Sequence, residues 1–195
     1  MRVTQCSVNG RDSRTRYGIR LLLMTRADRK FFLNDAVTVA RRLPGMEIVT
    51  GSGTGRYIIT ETEAYMADGD RASHASRGRT ARTEPMFTEG GHLYLYFVYG
   101  MHWMLNVVTG PAESAQAVLI RGVTGFSGPG RVTKGLAIDG SYNREDLVTS
   151  GRIWIEETGI NPPTVAGPRI GIAYAGEPWV SMPWRFIIKN EKEKR

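Results

Sequence analysis

Residues 92–108, HLYLYFVYGMHWMLNVV, hold two runs of aromatic and β-branched residues on either side of Tyr99-Gly100-Met101. Such residues favour pleated strands, and a glycine between the runs supplies the left-handed backbone of a tight bend. The stretch reads as a β-hairpin with Gly100 at the bend. Toward the N-terminus, residues 56–66, RYIITETEAYM, follow period two. Tyr57, Ile59, Glu61, Glu63 and Tyr65 are expected on one face of that strand, with Ile58, Thr60, Thr62, Ala64 and Met66 on the other. Toward the C-terminus, strands are expected at Ala117 to Arg121, Ile153 to Ile155, Arg169 to Tyr174 and Trp184 to Ile188. A helix is expected from about Asn34, its N-cap, to Arg42; its apolar face is Ala36, Val37, Val39, Ala40 and Leu43, and Pro44-Gly45 ends it. A short helix ending at Gly140 is expected within residues 128–140, GPGRVTKGLAIDG. Residues 67–91 are rich in Gly, Arg, Ser, Thr and Asp and read as a long loop containing short helical turns. The pattern specifies one α+β domain with a largely antiparallel sheet.

Composition narrows the class. The chain has 195 residues, 41% apolar and 23% charged, which are globular values and exclude collagen, coiled coil and disorder. A domain of this size buries about 70% of its unfolded surface and needs no disulfide or metal staple. The single cysteine, Cys6, suits a reducing compartment, and no apolar run approaches a membrane span. A soluble cytoplasmic protein is expected, associated with the nucleoid in a bacterium or the nucleus in a eukaryote. Of the net charge of +7, residues 1–30 carry eight Lys+Arg against two Asp. The basicity thus belongs mostly to a leader, read as a basic arm over 1–29 preceding a domain over 30–190 and a solvated tail over 191–195. An upstream start codon, with Met24 the true beginning, and a targeting presequence are the other readings of the leader.

Three features carry chemistry. Glu61 and Glu63 share a strand face with Tyr65, roughly 7 Å apart by strand geometry. They read either as a solvent-facing polar stripe or as carboxylates at a cleft wall, where one could activate water or stabilise a developing cation. Ordinary glycoside hydrolysis stays open on this spacing. The second feature is Arg71, Arg77, Arg79 and Arg82, with no acidic residue among them and hydroxyls beside them, a pattern suited to phosphate contacts. His74 lies within this cluster and reads as a hydrogen-bond donor. The third is the hairpin tip, where Tyr99 and Met101 could act as apolar wedges in a minor groove. Zinc chemistry lacks ligands at a suitable spacing. GPGRVTKG is not a Walker loop, because Thr133 stands where a glycine should precede the lysine.

TETEAY, HASRGRTAR, MF, LYLYFVYGMHWMLNVV, VLIRGV, GPGRVTKGLAID and PRIGI occur in this order between about residues 30 and 190. In this the chain resembles the alkyladenine (3-methyladenine) DNA glycosylase family. The resemblance implies a single domain on a curved antiparallel sheet with a hairpin protruding into DNA. It implies hydrolysis of the N-glycosidic bond of alkylated or deaminated purines flipped from double-stranded DNA, by a monomer with no cofactor, metal, membrane or lyase activity. Carried over residue by residue, Glu63 activates water and Arg121 helps orient it. Tyr65 and Tyr96 sandwich the base, His74 is the pocket histidine, and Asn106 crowds the amino group of guanine. Tyr99 fills the gap in the duplex with Met101 beside it, and Thr80 and Arg82 align with a DNA-contacting segment; Arg77 and Arg79 are expected to contact DNA as members of the arginine cluster. Ala81 and Thr83 depart from the family's Thr-Pro-Arg-Asn pattern.

Overall fold

The computed structural model describes residues 24–67 and 69–189. Residues 1–23 of the expected arm, and the tail over 191–195, lie outside the described residues. Residues counted with that arm nonetheless enter the fold: Thr25–Arg26 form an edge strand, β1. Asp28 caps a short helix, α1 (Arg29–Phe32), by accepting the Phe31 N–H. The second helix, α2 (Ala36–Arg42), is capped by Asp35 and not by Asn34. Asp35 accepts from the Thr38 amide at 2.9 Å, whereas Asn34 donates back to the Lys30 and Phe31 carbonyls and closes α1.

The remaining elements are β2 (Glu47–Thr50), β3 (Gly55–Tyr65), β4 (Leu93–Val98), β5 (His102–Thr109), β6 (Gln116–Val123), β7 (Phe126–Ser127), α3 (Pro129–Gly135), β8 (Ile153–Glu157), β9 (Thr164–Gly167) and β10 (Arg185–Ile188). They build a curved antiparallel sheet in the order β1-β8-β2-β3-β6-β5-β4, with β10 also on β3, β9 on β10 and β7 on β6. The expected α+β architecture and the 92–108 hairpin are both present. Two expected elements differ. Helix α3 stops at Gly135, because its C-cap Leu136 already leaves helical geometry and Ala137 takes a positive φ of 53°. Residues 169–174 are not a strand; β9 lies earlier, and Arg169 is turned inward to a buried ion pair.

Strand β3 organises the molecule. Its first half pairs with β2 and its second half with β10, while β6 runs along the other edge. At the exchange of partners the β3–β6 register is irregular between Ile59 and Thr62. Strict alternation therefore fails there. Ile59 and its cross-strand partner Val123 enter the apolar core with Ala64, Val118 and Ile120, instead of sharing the face of Glu63. Helix α2 covers this core through Ala36, Val39, Ala40 and Leu43, all fully buried. Of these, Val39 and Leu43 each contribute about 1.5–3 kcal/mol. Thr62 tethers the helix by donating to the Ala40 carbonyl at 2.6 Å.

The loop over 67–91 is pinned at two places. Ala75 and Met86 pack with Tyr94, Val108 and Ala117, and Ala72 packs with Ile172 and Ala175 against Tyr65 and Trp179. Its helical turns, expected from the sequence, are His74–Arg77 and Glu84–Phe87. No helix among the described residues is long and apolar enough to cross a membrane.

Candidate active site

The second half of β3, the concave parts of β4–β6 and the segment after β9 converge on a cavity of about 250 Å³. Tyr65, His74, Tyr96, Tyr99, Asn106 and Arg121, all singled out from the sequence, line it. Glu63 sits immediately behind them, fully buried. Its Oε2 accepts from the Tyr65 hydroxyl and its Oε1 from the Ile170 backbone N–H, each at 2.8 Å. Arg121 Nε lies 3.3 Å from the same Oε1. All three partners line the cavity, so the carboxylate lies one side chain behind its wall, within a polar collar. Burial pushes the Glu63 carboxyl above the ordinary range, and Arg121, the Ile170 amide and the Tyr65 hydroxyl pull it back without cancelling that rise.

Glu61 is also buried, and Arg121 Nε is 3.1 Å from its Oε1. The two carboxylates therefore close on one guanidinium from the same side. They do not face each other across a cleft, and Glu61 is not among the groups lining the cavity. The polar-stripe reading fails for both residues.

The aromatic walls are individually held. Arg169 stands 4.7 Å from the Tyr65 ring and is locked to Asp70 by two hydrogen bonds of 2.6 and 2.9 Å, with both side chains wholly buried. Its Nη1 also donates to the Ala64 carbonyl. Arg82 stands 5.2 Å from the Tyr96 ring. The His74 ring meets Tyr96 edge-on at 4.4 Å, and its Nδ1 is 3.0 Å from the Tyr94 hydroxyl. Burial, then Arg82 and Arg77, lower the His74 pKa to about 4, so its imidazole is neutral at physiological pH. Asn106 commits its amide nitrogen to the Tyr94 and Met104 carbonyls, which fixes the orientation of the side chain.

At the hairpin tip, Met101 N–H closes a turn on the Val98 carbonyl, and both central residues have positive φ, Tyr99 at 51° and Gly100 at 64°. A tyrosine in that region is uncommon. It holds the ring 89% exposed, with Met101 66% exposed beside it. On the other side of His74 lies a second, basic cavity of about 360 Å³, lined by Arg71, Arg77, Thr80, Arg82 and Tyr174 among others. Arg79 lies outside it, paired with Glu84 and Glu113 and stacked on Phe87. Thr83 is buried and exchanges hydrogen bonds with Thr80, so this departure from the family pattern acts inside the loop.

The sequence reading did not single out Asp70, Arg169, the Ile170 amide or Tyr174. Asp70 and Arg169 are 99 positions apart, and their pairing has no local signature. The one available signal was an arginine inside the PRIGI stretch, which alternation had assigned to a strand. Among the described residues, no group of three His, Cys, Asp or Glu side chains is arranged to hold a metal ion.

The family model described as methylpurine-DNA glycosylase matches residues 30–127 and 124–192. A protein of Borrelia garinii subsp. bavariensis is 41% identical over 180 residues, 85% of this chain and 97% of that protein. One from Methanocella arvoryzae is 38% identical over 184 residues, covering 83% and 92%, and one from Myxococcus xanthus is 38% identical over 174 residues, covering 83% and 89%. All three bear the provisional name 3-methyladenine DNA glycosylase. On the extent of that match, this chain belongs to the methylpurine-DNA glycosylase family, hydrolases of N-glycosyl bonds in DNA.

Proposed function

We propose that this protein removes alkylated purines, 3-methyladenine foremost, and more slowly deaminated purines such as hypoxanthine, after flipping them from duplex DNA. The observation that carries this reading is the buried Glu63 held by Tyr65, Ile170 and Arg121 just behind the wall of a tyrosine-lined cavity. By lone-pair inventory, Oε2 accepts only the Tyr65 hydroxyl and keeps a position for a water proton. Ionised Glu63 takes that proton as the water attacks C1′, and its charge stabilises the oxocarbenium-like state as the bond to the base breaks.

The flipped base stacks between Tyr65 and Tyr96, where a cationic purine gains attraction to the ring faces. Such a base leaves as a neutral species without being protonated. The lining of the cavity includes no carboxylic acid, and His74 is neutral, which is why a neutral lesion departs more slowly. Flipping costs a few kcal/mol. Tyr99 and Met101 offset it by occupying the vacated stack, and Arg77, Thr80 and Arg82 hold flanking phosphates. Arg79 acts on DNA only by leaving its pair with Glu84 and Glu113. No lysine lines the cavity, so the reaction stops at hydrolysis without a Schiff base.

The test is base release from duplexes carrying 3-methyladenine, 7-methylguanine or hypoxanthine, with borohydride present in parallel. Expected are free base, fastest for the cationic lesions, and no covalent protein–DNA adduct. Release of none of these bases would falsify the reading, and an adduct would overturn the simple-hydrolysis part.

A further inference from the structure

Four charges of alternating sign run through the wall behind the cavity. Arg185 Nη1 is 3.0 Å from Glu61 Oε1, Glu61 Oε1 is 3.1 Å from Arg121 Nε, and Arg121 Nε is 3.3 Å from Glu63 Oε1. Three strands supply them: β3 both carboxylates, β6 Arg121 and β10 Arg185, which is also the cross-strand partner of Glu63. Arg185 is fixed in turn by donating its Nε to the Pro168 carbonyl, at the start of the segment whose Ile170 amide holds Glu63. Both carboxylates take Arg121 by its Nε edge. No described protein group accepts from its two terminal nitrogens, and Arg121 lines the cavity.

We propose that Glu61 and Arg185 are positioning residues: Glu61 anchors Arg121 by its Nε so that the terminal nitrogens stay free for the site, and Arg185 balances the negative charge that Glu61 adds beside Glu63. The proposal deepens the reading of Glu63 as the base and rests on it for the rate effect alone. Two buried carboxylates so close would otherwise share a proton, because like charges at this range resist simultaneous ionisation. Two cations interleaved with two anions remove that conflict. The charged and titratable groups around Glu63 are Glu61 and Tyr65 on its own strand, Arg121 on β6, Tyr96 on β4 and Arg185 on β10. Of these, Glu61 and Arg185 are the pair whose removal leaves the cavity lining intact.

Two readouts test this on the full chain. One is the titration of Glu63 followed by carbon-13 NMR of its labelled side-chain carboxyl. The other is the pH profile of single-turnover base release under saturating protein. Glu61→Gln removes a like charge, so the Glu63 titration and the acid limb of release move to lower pH; the plateau rate falls at least about tenfold as Arg121 loses its anchor. Arg185→Gln removes a balancing cation and moves both to higher pH. Arg185→Lys keeps the charge and titrates close to the native protein, and the double variant Glu61→Gln/Arg185→Gln returns toward it. Affinity for lesion duplex changes little in all four. Shifts of the same sign in the two single variants, or in neither, overturn the proposal, as does Arg185→Lys behaving like Arg185→Gln. If the native protein releases no base, the hydrolytic reading fails, while opposite NMR shifts still support the charge arrangement.

Discussion

Glu63 combines its proposed acid–base task with full burial, and the two have opposite consequences. Its raised carboxyl means that the folded state favours the protonated form more than the unfolded chain does. The stability this group contributes is therefore present at low pH and is lost as pH rises through the folded value. Glu63→Gln, which mimics the neutral form, is expected to melt no lower than the native protein at pH 7, and a clearly lower Tm would contradict the burial argument. The same shift places the acid limb of base release above the ordinary glutamate range of about 4.3. His74 adds no inflection near pH 6.5, because it titrates at about 4; a step near 6.5 that disappears in His74→Asn would refute its assignment as a neutral group. Asn106, held by two carbonyls, is expected to exclude guanine by bulk, so Asn106→Ser should raise release of undamaged guanine. An unchanged guanine rate would remove that role.

At the scale of elements, the hairpin and the loop segments behind Tyr65 divide the work. The β4–β5 hairpin carries an exposed tyrosine on a left-handed backbone, so Tyr99→Ser should weaken binding to lesion duplex while leaving Tm nearly unchanged. A large fall in Tm would make Tyr99 structural. The Asp70–Arg169 pair is the opposite case: it is wholly buried and joins the 67–91 loop to the segment that supplies the Ile170 amide. Asp70→Asn should cost about 3–5 kcal/mol, because an unpaired buried guanidinium remains. Elements with local signals were legible in the sequence: the hairpin from its flanked glycine, and α2 from its apolar spacing. For the site, residue types and spacing left Glu61 and Glu63 open between a polar stripe and a cleft wall, and the assignment of Glu63, Tyr65 and the hairpin tyrosines came from the order of the family's motifs. What was hidden was long-range. The face change at Ile59 arises from an exchange of partners between β2 and β10, and the Arg169–Asp70 pair closes over 99 positions.

For the whole molecule, the charge distribution separates recognition from chemistry. The net +7 is concentrated in the first 30 residues, yet the rest of the chain still gathers Arg71, Arg77 and Arg82 around one cavity beside the tyrosine pocket. If these arginines hold phosphates, affinity for duplex falls steeply with salt, and Arg82→Ala lowers the slope of log K against log[salt] by about one. An unaltered slope would place Arg82 off the backbone. The account as a whole turns on Glu63 as the group that activates water at the tyrosine cavity. The most direct measurement is single-turnover release of 3-methyladenine from duplex DNA by the native protein and by Glu63→Gln, with DNA affinity determined for both. The account predicts release by the native protein and a loss of about 10²–10⁴-fold in the variant at nearly equal affinity. A Glu63→Gln protein that releases the base at the native rate would contradict it.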